Sequence, residues 1–301
     1  MSKTLISIVG PTAIGKTSLS IDLAKAFETE IISADSRQFF REMTIGTAVP
    51  SSEELAAAPH HFIQHISVED AYSVGDFERD ALQKLEQLFQ RHNKVIMVGG
   101  SGLYVDAVTK GLDEFPEIDP QIRISLNDLF AAEGLPGLQR QLSQLDPEYY
   151  SEVDTENPHR LIRALEVSLG TGRPYSSFRQ KKAAQRPFKS VLIGLTADRE
   201  VIYDRINRRV DLMMEQGLLE EAKALAGKKH LNALNTVGYK ELFAFLEGRC
   251  SLEEAVEEIK KNTRRFAKRQ LTWFRKNPEI HWFDHTTPTE EIIDMIKKID
   301  Q

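Results

Sequence analysis

The chain has 301 residues, of which 41% are hydrophobic and 28% are charged, and its formal net charge is −6. This composition is ordinary for a soluble globular protein, and the length allows one large core with a smaller part attached to it. Apolar runs stay well short of the roughly 18 residues of a membrane span, so we expect no membrane association. The net charge alone argues against a nucleic-acid partner, but the distribution of charge along the chain is uneven.

The N-terminus and the cysteine content bear on the cellular compartment. The first residues lack the apolar core and the small-residue cleavage site of a secretory signal. A single cysteine, Cys250, allows neither an internal disulfide nor a cysteine-based zinc site. We therefore expect a cytoplasmic protein.

The first predicted strand leads into a glycine-rich segment. The apolar run Thr4–Val9 predicts a buried strand, and the apolar spacing over Lys16–Phe27 predicts a helix. Between them lies GPTAIGKT, a pattern in which backbone N–H groups face a phosphate, the lysine supplies charge and the threonine offers a hydroxyl to Mg²⁺. A plain turn with a surface lysine is the alternative. The residues predicted to bind phosphate are Gly10, Pro11, Thr12, Ala13, Ile14, Gly15, Lys16 and Thr17.

The next segments alternate between strand and helix. Glu30–Ala34 predicts a second strand and Phe62–Ser67 a third, while Val74–His92 has the spacing of an amphipathic helix. KVIMV then predicts a fourth strand, which runs into GGSG at 99–102. This alternation predicts the α/β class, with a parallel sheet covered by helices on both faces.

Two polar side chains follow strands of the predicted sheet. Asp35 closes the second strand and Ser101 lies in the turn after the fourth, so both are expected at the carboxyl edge of the sheet. Asp35 could bind Mg²⁺, act as a general base or cap the next turn. Ser101 could meet a ligand or begin a helix. The residues alone leave these alternatives open.

The pattern changes near residue 112. From 113 to about 187 no strand is predicted, and proline and glycine separate three helical segments: Ile122–Ala132, Leu135–Leu145 and Pro158–Leu169. The apolar run Ser190–Leu195 predicts a further strand, and helices dominate from Asp198 onward. We therefore predict a catalytic core formed by 1–112 and 188–301, with a helical insertion domain over 113–187.

Cations concentrate on two of the later helices. Arg205 and Arg209 lie one helical turn apart, where they could close over phosphates or simply face solvent. The predicted helix Leu252–Lys276 carries an acid-free run that suits a polyanion such as RNA, although a solvated face is the alternative. The cations of this run are Lys260, Lys261, Arg264, Arg265, Lys268, Arg269, Arg275 and Lys276.

Aromatic and histidine side chains receive structural interpretations. We interpret three aromatic residues of the basic helix as its core face rather than as stacking platforms: Phe266, Trp273 and Phe274. Three histidines have no accompanying metal ligands and are interpreted as structural: His60, His61 and His65.

Several motifs in order resemble one family. They are GPTAIGKT, ADSRQFFREMTIGTAVP, PHHFI, VGGSGLY, DPEYYSEVDTENPHRLIRALEVSLGTGRP, TVGYKEL and TRRFAKRQLTWFR, and they cover nearly the whole chain. The series resembles the tRNA dimethylallyltransferases, which isoprenylate adenosine 37 beside the anticodon. The resemblance implies a P-loop NTPase-like parallel sheet core with a mostly helical insertion domain. It also implies that the glycine-rich loop holds the diphosphate of an allylic donor rather than the triphosphate of ATP.

The resemblance further implies residue roles. Asp35 would be the general base that takes a proton from the adenine N6 amine. The implied catalytic set is Asp35, Lys16, Ser101 and Arg209. The implied diphosphate clamp is Lys16, Thr17 and Arg209, with Mg²⁺ bound through Thr17. Arg205 is predicted to join it because of its spacing from Arg209. The implied tRNA contacts are Asp35, Ser36, Arg37, Gln38, Ser101, Arg123, His159, Arg160, Arg163, Arg264, Arg265 and Lys268.

Two positions depart from the family pattern. Ser101 stands where threonine is usual and keeps the hydroxyl, so its implied role is unaffected. Arg37 stands where methionine or a small residue is often found, which leaves its contact with the target base open.

Three other functions share some of these features. A nucleotide kinase would share the phosphate loop and the arginines, but among the predicted strands only one ends in an aspartate, Asp35, and the fourth ends in glycines. An RNA-binding protein with a nucleotide switch would explain the basic helix but not the carboxylate and the hydroxyl. A transferase acting on free adenine nucleotides would not need the insertion. We therefore expect tRNA, through its anticodon stem-loop, and dimethylallyl diphosphate as partners of a monomer without an obligate protein partner.

Overall fold

The structure is a computed structural model that describes residues 3–179 and 184–299. In this part of the chain, six parallel strands form one sheet flanked by helices. The strands are β1 (Thr4–Val9), β2 (Ile31–Ser33), β3 (His60–His61), β4 (Lys94–Val98), β5 (Lys189–Thr196) and β6 (Ile280–Asp284). Their order across the sheet is β3-β2-β4-β1-β5-β6. The predicted α/β class with a parallel sheet is confirmed.

The helices alternate with these strands and then dominate the C-terminal part. They are α1 (Lys16–Ala26), α2 (Ser52–Ala57), α3 (Val74–Phe89), α4 (Gly102–Lys110), α5 (Pro120–Leu145), α6 (Pro147–Glu152), α7 (Pro158–Thr171), α8 (Arg199–Glu215), α9 (Leu218–Leu225), α10 (Tyr239–Leu246), α11 (Leu252–Phe274) and α12 (Thr289–Ile299). Short 3₁₀ turns lie at Tyr175–Phe178, Ala226–Lys228 and Asn232–Leu234.

The central strand β1 explains why its sequence is continuously apolar. It pairs in parallel with β4 on one side and β5 on the other. Ile6 and Ile8 pack in a cluster with α1, α8 and α12, whereas Leu5 and Val9 pack with α3 and α4. Because both faces are covered, every residue of the strand is buried. The carboxyl ends of β1, β2 and β4 meet at one edge of the sheet, where the glycine-rich loop, Asp35 and the GGSG turn follow them.

The third strand is displaced from its predicted position. The sequence predicts it over Phe62–Ser67, whereas β3 pairs with β2 through His60 and His61. Phe62 and Gln64 have φ angles of 63° and 48°, left-handed values that end an extended strand. Ile66 forms an isolated bridge instead. This prediction is wrong because the backbone turns where the apolar pattern continues.

The edge strand β6 is absent from the sequence predictions. Most of its residues are exposed or half-buried, so it lacks the apolar run that marks the central strands. It ends at Asp284, so a second strand of the sheet is closed by an aspartate, although this strand is not one of the apolar strands that the sequence predicts. The Asp284 carboxylate accepts the backbone N–H of Thr286 at 2.9 Å and the Thr286 hydroxyl at 2.5 Å, which fixes it in a turn.

The chain divides into two compact units, Met1–Lys110 with Gln185–Gln301, and Gly111–Ala184. The second unit contains α5, α6 and α7 around its own apolar cluster, whose buried members include Leu138, Leu161 and Leu165. Gly134, at φ 65°, interrupts α5 where the sequence predicts a break between two helices. The assignment of this unit as a domain that contacts RNA stays a prediction. In the described residues no helix is both long and apolar enough to cross a membrane.

Candidate functional site

The phosphate loop, residues 10–17, connects β1 to α1. Gly10 has φ 143°, and a Cβ there would lie 2.5 Å from the carbonyl oxygen of Leu195, so only glycine fits. Gly15, at φ 111°, precedes the first turn of α1. The loop lines a cavity of about 550 Å³, which we call the phosphate cavity. Backbone N–H groups at a helix N-terminus give such a cavity the character of an anion site.

Lys16 supplies the cation within this loop. Its ammonium donates to the carbonyl oxygen of Pro11 at 2.8 Å. Burial lowers the pKa of Lys16 to about 8; the Asp35 carboxylate acts against this shift, and the Arg209 guanidinium adds to it. An incoming anion raises the pKa of such a group, so binding of a diphosphate favours the protonated lysine.

Two arginines of α8 reach the same cavity. Arg205 and Arg209 both line it, and the Nε of Arg205 donates to the carbonyl oxygen of Ala13 at 2.7 Å. Burial lowers the pKa of Arg209, whereas the charge of Asp35 acts in the opposite direction. Cations from two separate elements therefore converge on one cavity, which is the arrangement that a diphosphate clamp needs.

Asp35 follows β2 and faces these cations. One carboxylate oxygen, Oδ1, accepts the backbone N–H of Arg37 at 3.2 Å, so the capping contact is present. Asp35 also lines the phosphate cavity and influences the pKa of both Lys16 and Arg209. Capping and a chemical role are therefore compatible, because the cap fixes the orientation of the carboxylate.

Ser101 joins the ends of β4 and β2. Its hydroxyl lies 3.2 Å from both the backbone nitrogen and the hydroxyl of Ser36. Its carbonyl oxygen accepts the N–H groups of Tyr104 and Val105, so the residue also begins α4. The helix-start alternative is therefore realised through the backbone, whereas contact of the hydroxyl with a ligand stays a prediction.

A second cavity, of about 580 Å³, adjoins the phosphate cavity. We call it the acceptor cavity. Ser36, Arg37 and Ser101 line it. Five residues line both cavities: Thr12, Asp35, Thr47, Ala48 and Arg209. Groups bound in the two cavities could therefore both reach the carboxylate of Asp35.

Exposed aromatic side chains line the acceptor cavity. Phe266 and Trp273 are 38% and 40% exposed, whereas Phe274 is 3% exposed. The core-face interpretation is therefore wrong for Phe266 and Trp273 and confirmed for Phe274. The buried stripe of α11 passes through the residues that follow Phe266 and Trp273, and the second of these is Phe274 itself. The indole N–H of Trp273 donates to Asp106 at 2.9 Å. This bond fixes the ring, which lines the acceptor cavity and offers an apolar surface to a flat ligand there.

Arg37 and Gln38 both hold neighbouring backbone. Arg37 donates to the carbonyl oxygens of Asn232 at 3.1 Å and Ala233 at 2.8 Å, and burial lowers its pKa. Gln38 donates to the carbonyl oxygen of Ala48 at 2.9 Å. These contacts give the two side chains an architectural role, and their contact with RNA stays a prediction.

Gln270 is a site residue that the sequence did not reveal. It is 6% exposed, and its amide oxygen accepts the N–H of Thr12 at 2.9 Å. Its amide nitrogen donates to the carbonyl oxygen of Gly100 at 2.9 Å. Gln270 thus joins the phosphate loop to the turn that carries Ser101. A polar residue on the buried stripe of a helix was the available signal.

The basic run, which begins on α11 and ends just beyond it, is partly neutralised. Lys260 pairs with Asp211 at 2.8 Å and with Glu257, and Lys261 pairs with Glu258 at 2.6 Å. A third cation donates to an amide, because Arg264 bonds the side chain of Asn207 at 2.7 Å. The cations of the run that lie on the exposed side toward its end are Arg265, Lys268, Arg269, Arg275 and Lys276. An RNA contact here stays a prediction, and these five are its best candidates.

The remaining predicted RNA contacts lie in the unit 111–184. Arg123 and Arg163 both pair with the buried carboxylate of Glu166, at 3.4 Å and 2.8 Å. His159 and Arg160 lie in the first turn of α7. One carboxylate thus orients two guanidinium groups, and their role toward RNA stays a prediction.

The three predicted structural histidines make local contacts. His61 lies 2.7 Å from the carboxylate of Glu30, and Nδ1 of His60 lies 2.8 Å from the carbonyl oxygen of Ala58. His65 packs edge-on against Phe39. His60 also lines the phosphate cavity.

The fold and the site together define a P-loop-type protein in which a cationic phosphate cavity shares a carboxylate with a second cavity. The family model for IPP transferase matches residues 38–277. The chain belongs to the IPP transferase family.

Similar proteins span nearly the whole chain. A tRNA dimethylallyltransferase of Christiangramia forsetii is 64% identical over 297 residues, which cover 99% of this chain and 98% of that protein. The crystal structure of a tRNA isopentenylpyrophosphate transferase from Bacillus halodurans has a TM-score of 0.72 and 39% identity, covering 99% of this chain and 96% of the other. A eukaryotic dimethylallyltransferase acting on tRNA has a TM-score of 0.82 and 26% identity, covering 99% of this chain and 80% of the other.

Proposed function

We propose that this enzyme transfers a dimethylallyl group from dimethylallyl diphosphate to the N6 amine of adenosine 37 in the anticodon loop of tRNA, with release of diphosphate. The names of the similar proteins support this reaction. The observation that carries it is the position of Asp35, which lines both cavities. One cavity suits a phosphorylated donor and the other suits a flat acceptor.

The phosphate cavity would bind the donor and stabilise the leaving group. An allylic carbon–oxygen bond breaks readily because the resulting cation is delocalised, so the main task is to neutralise the departing diphosphate. Lys16, Arg205, Arg209 and the N–H groups of the loop provide positive charge and donors on the same cavity. A bound diphosphate favours the protonated form of Lys16, whose positive charge then lies where the leaving group develops its negative charge.

Asp35 would take the proton released at the acceptor nitrogen. As the adenine N6 attacks, a carbon–nitrogen bond forms, the carbon–oxygen bond to diphosphate breaks and one N6 proton passes to the carboxylate. Because Arg37 holds Oδ1 through its backbone N–H, the carboxylate has a fixed orientation before substrate arrives. Ser101 and Ser36 place two hydroxyls at the same wall and could hold the adenine edge.

Magnesium fits the donor end of the site. In the described residues no group of three or more histidine, cysteine or acidic side chains could hold a metal by itself. Mg²⁺ commonly keeps several waters and binds phosphate oxygens with one or two protein oxygens. Thr17, in the first turn of α1, lines the phosphate cavity and would provide such an oxygen. The ion would neutralise part of the diphosphate charge when bound.

The acceptor cavity would receive the adenine after it leaves the stack of the anticodon loop. In a single-stranded loop this unstacking costs about a few kcal/mol. Exposed cations on α11 and the arginines of the unit 111–184 would bind the phosphates of the anticodon stem-loop. We further propose that the enzyme acts in the cytoplasm as a monomer, without an obligate protein partner.

Nucleoside mass spectrometry tests the reaction directly. Purified protein, an unmodified tRNA transcript, dimethylallyl diphosphate and Mg²⁺ should together yield N6-dimethylallyladenosine at position 37. A transcript with guanosine 37 is the matched control, and AMP in place of tRNA tests the free-nucleotide alternative. Product with AMP but not tRNA, or phosphoryl transfer from ATP instead of prenylation, would reject the proposal.

A further inference from the structure

A short loop forms the wall between the two cavities. We call residues 44–48 the divider loop. Thr47 and Ala48 line both cavities, and Gly46 lines the acceptor cavity. The loop belongs to no helix or strand, and Ala48 has the left-handed φ of 51°. Two backbone hydrogen bonds close the turn, from the N–H of Ala48 to the carbonyl oxygen of Ile45 at 3.0 Å and from the N–H of Val49 to that of Thr44 at 3.1 Å. Side chains from other elements hold this turn in place.

One carboxylate on α9 accepts three backbone N–H groups of the loop. The Oε2 of Glu221 accepts the backbone N–H groups of Thr44 at 3.0 Å and Ile45 at 2.8 Å. Its Oε1 accepts the N–H of Gly46 at 2.9 Å and the hydroxyl of Tyr239 at 2.6 Å. Four donors therefore converge on one carboxyl group, and hydrogen bonds to a carboxylate are stronger than those to a neutral acceptor.

Tyr239 supports the same loop by packing. Its side chain is fully buried, and a Cβ on Gly46 would lie 2.6 Å from its ring, so the loop backbone packs directly against the hydroxyl end of the ring. Burial raises the pKa of Tyr239, and the charge of Glu221 raises it further, so the hydroxyl stays a donor. On the other side of the loop, Gln38 holds the carbonyl oxygen of Ala48 at 2.9 Å.

We propose that Glu221 is a positioning residue for prenyl transfer, which fixes the divider loop so that donor and acceptor meet at Asp35. The inference rests on the proposed function. Glu221 lines neither cavity and acts only through the backbone that it holds. A displaced loop would change the shape of both cavities together, so the affinity for each substrate and the rate should change together.

The variant Glu221→Gln keeps the size of the side chain but turns one acceptor oxygen into an NH₂ group that faces donors. We expect kcat/KM to fall by about 10²-fold, since misplacement of a reacting group by 1 Å can cost that much. The matched control is Glu220→Gln on the same helix, because Glu220 is exposed and pairs only loosely with Lys223 at 3.5 Å. Adding Tyr239→Phe to Glu221→Gln removes one donor that opposes the new NH₂ and should restore part of the loss.

Calorimetric titration with dimethylallyl diphosphate and circular dichroism at the assay temperature complete the experiment. The expected result is a folded Glu221→Gln variant with weakened diphosphate binding and slower transfer. Binding and transfer within twofold of the Glu220→Gln control would overturn the inference, as would a loss of rate equal to the unfolded fraction. If wild-type protein binds the diphosphate but transfers nothing, the proposed function fails, whereas weakened binding in Glu221→Gln still supports the positioning role.

Discussion

Replacing Asp35 by asparagine separates a general base from a cap and from a metal ligand. Asparagine keeps the shape and can still accept the N–H of Arg37, so weakening of the cap should cost only a few tenths of a kcal/mol. It cannot take a proton from N6. Loss of a general base typically lowers the rate by about 10² to 10⁴-fold, which corresponds to about 2.7 to 5.4 kcal/mol. The expected loss therefore exceeds the structural cost by roughly tenfold in free energy.

The electrostatics of the cavity give this variant a second expected result. The Asp35 charge interacts with Lys16 and Arg209, so its removal leaves the phosphate cavity more positive. Diphosphate affinity should then stay the same or rise. A carboxylate that served as a magnesium ligand would show the opposite, because its loss would weaken metal-dependent binding.

The experiment measures the rate of single-turnover transfer and, by titration, the affinities for tRNA and for dimethylallyl diphosphate. Asp22→Asn is the matched control, since Asp22 is exposed on α1 and lines neither cavity. Transfer by Asp35→Asn within threefold of this control would refute the base assignment. A fall in rate matched by an equal fall in diphosphate affinity would favour the metal-ligand interpretation.

Four further predictions concern the phosphate loop and the exposed cations of α11. Lys16→Ala should slow single-turnover transfer by about 10² to 10³-fold, the usual loss for one transition-state charge interaction. Because the pKa of Lys16 is lowered to about 8 in the free protein, diphosphate affinity should fall as the pH rises through about 8, and calorimetry should find this pH dependence missing in Lys16→Met. Changing Arg265 and Lys268 to glutamine should weaken the dependence of log K for tRNA on log salt, with the slope smaller by about 0.9 for each RNA phosphate that the variant no longer neutralises. An unchanged slope in fluorescence titrations would show that these cations only face solvent. Gln270→Leu should weaken binding of dimethylallyl diphosphate, because the N–H of Thr12 loses its acceptor, while circular dichroism should still show a folded protein. The control is Thr272→Val in the same helix, and equal diphosphate affinity of the two variants would contradict this prediction.

The sequence predicts the elements whose signals are local. The sequence predicts β1 from a continuous apolar run and the phosphate loop from the eight-residue glycine pattern that directly follows this run. Asp35 and Ser101 are predicted at one edge because parallel strands share their carboxyl ends. The displaced β3 was not predictable in this way, since two left-handed residues within an apolar segment decide where the strand ends.

The supporting side chains were not predictable because their partners are distant in sequence. Gln270 bonds Thr12 across 258 residues, and Glu221 bonds Thr44 across 177. An alternating or helical pattern reports burial, but it does not say which distant backbone group a polar side chain will meet. Phe266 and Trp273 were misassigned for a related reason, since a helix with several aromatic residues does not indicate which of them the core leaves uncovered.

The bond between Thr12 and Gln270 has a consequence for how the protein is made. The phosphate loop is synthesised early, whereas the side chain that accepts its N–H arrives on the last long helix. The chain emerges from the ribosome with its N-terminus first, so for most of translation the phosphate loop is present without Gln270. The contact between the phosphate loop and Gln270 can therefore form only once α11 has left the exit tunnel, and an incomplete chain released before that point lacks it.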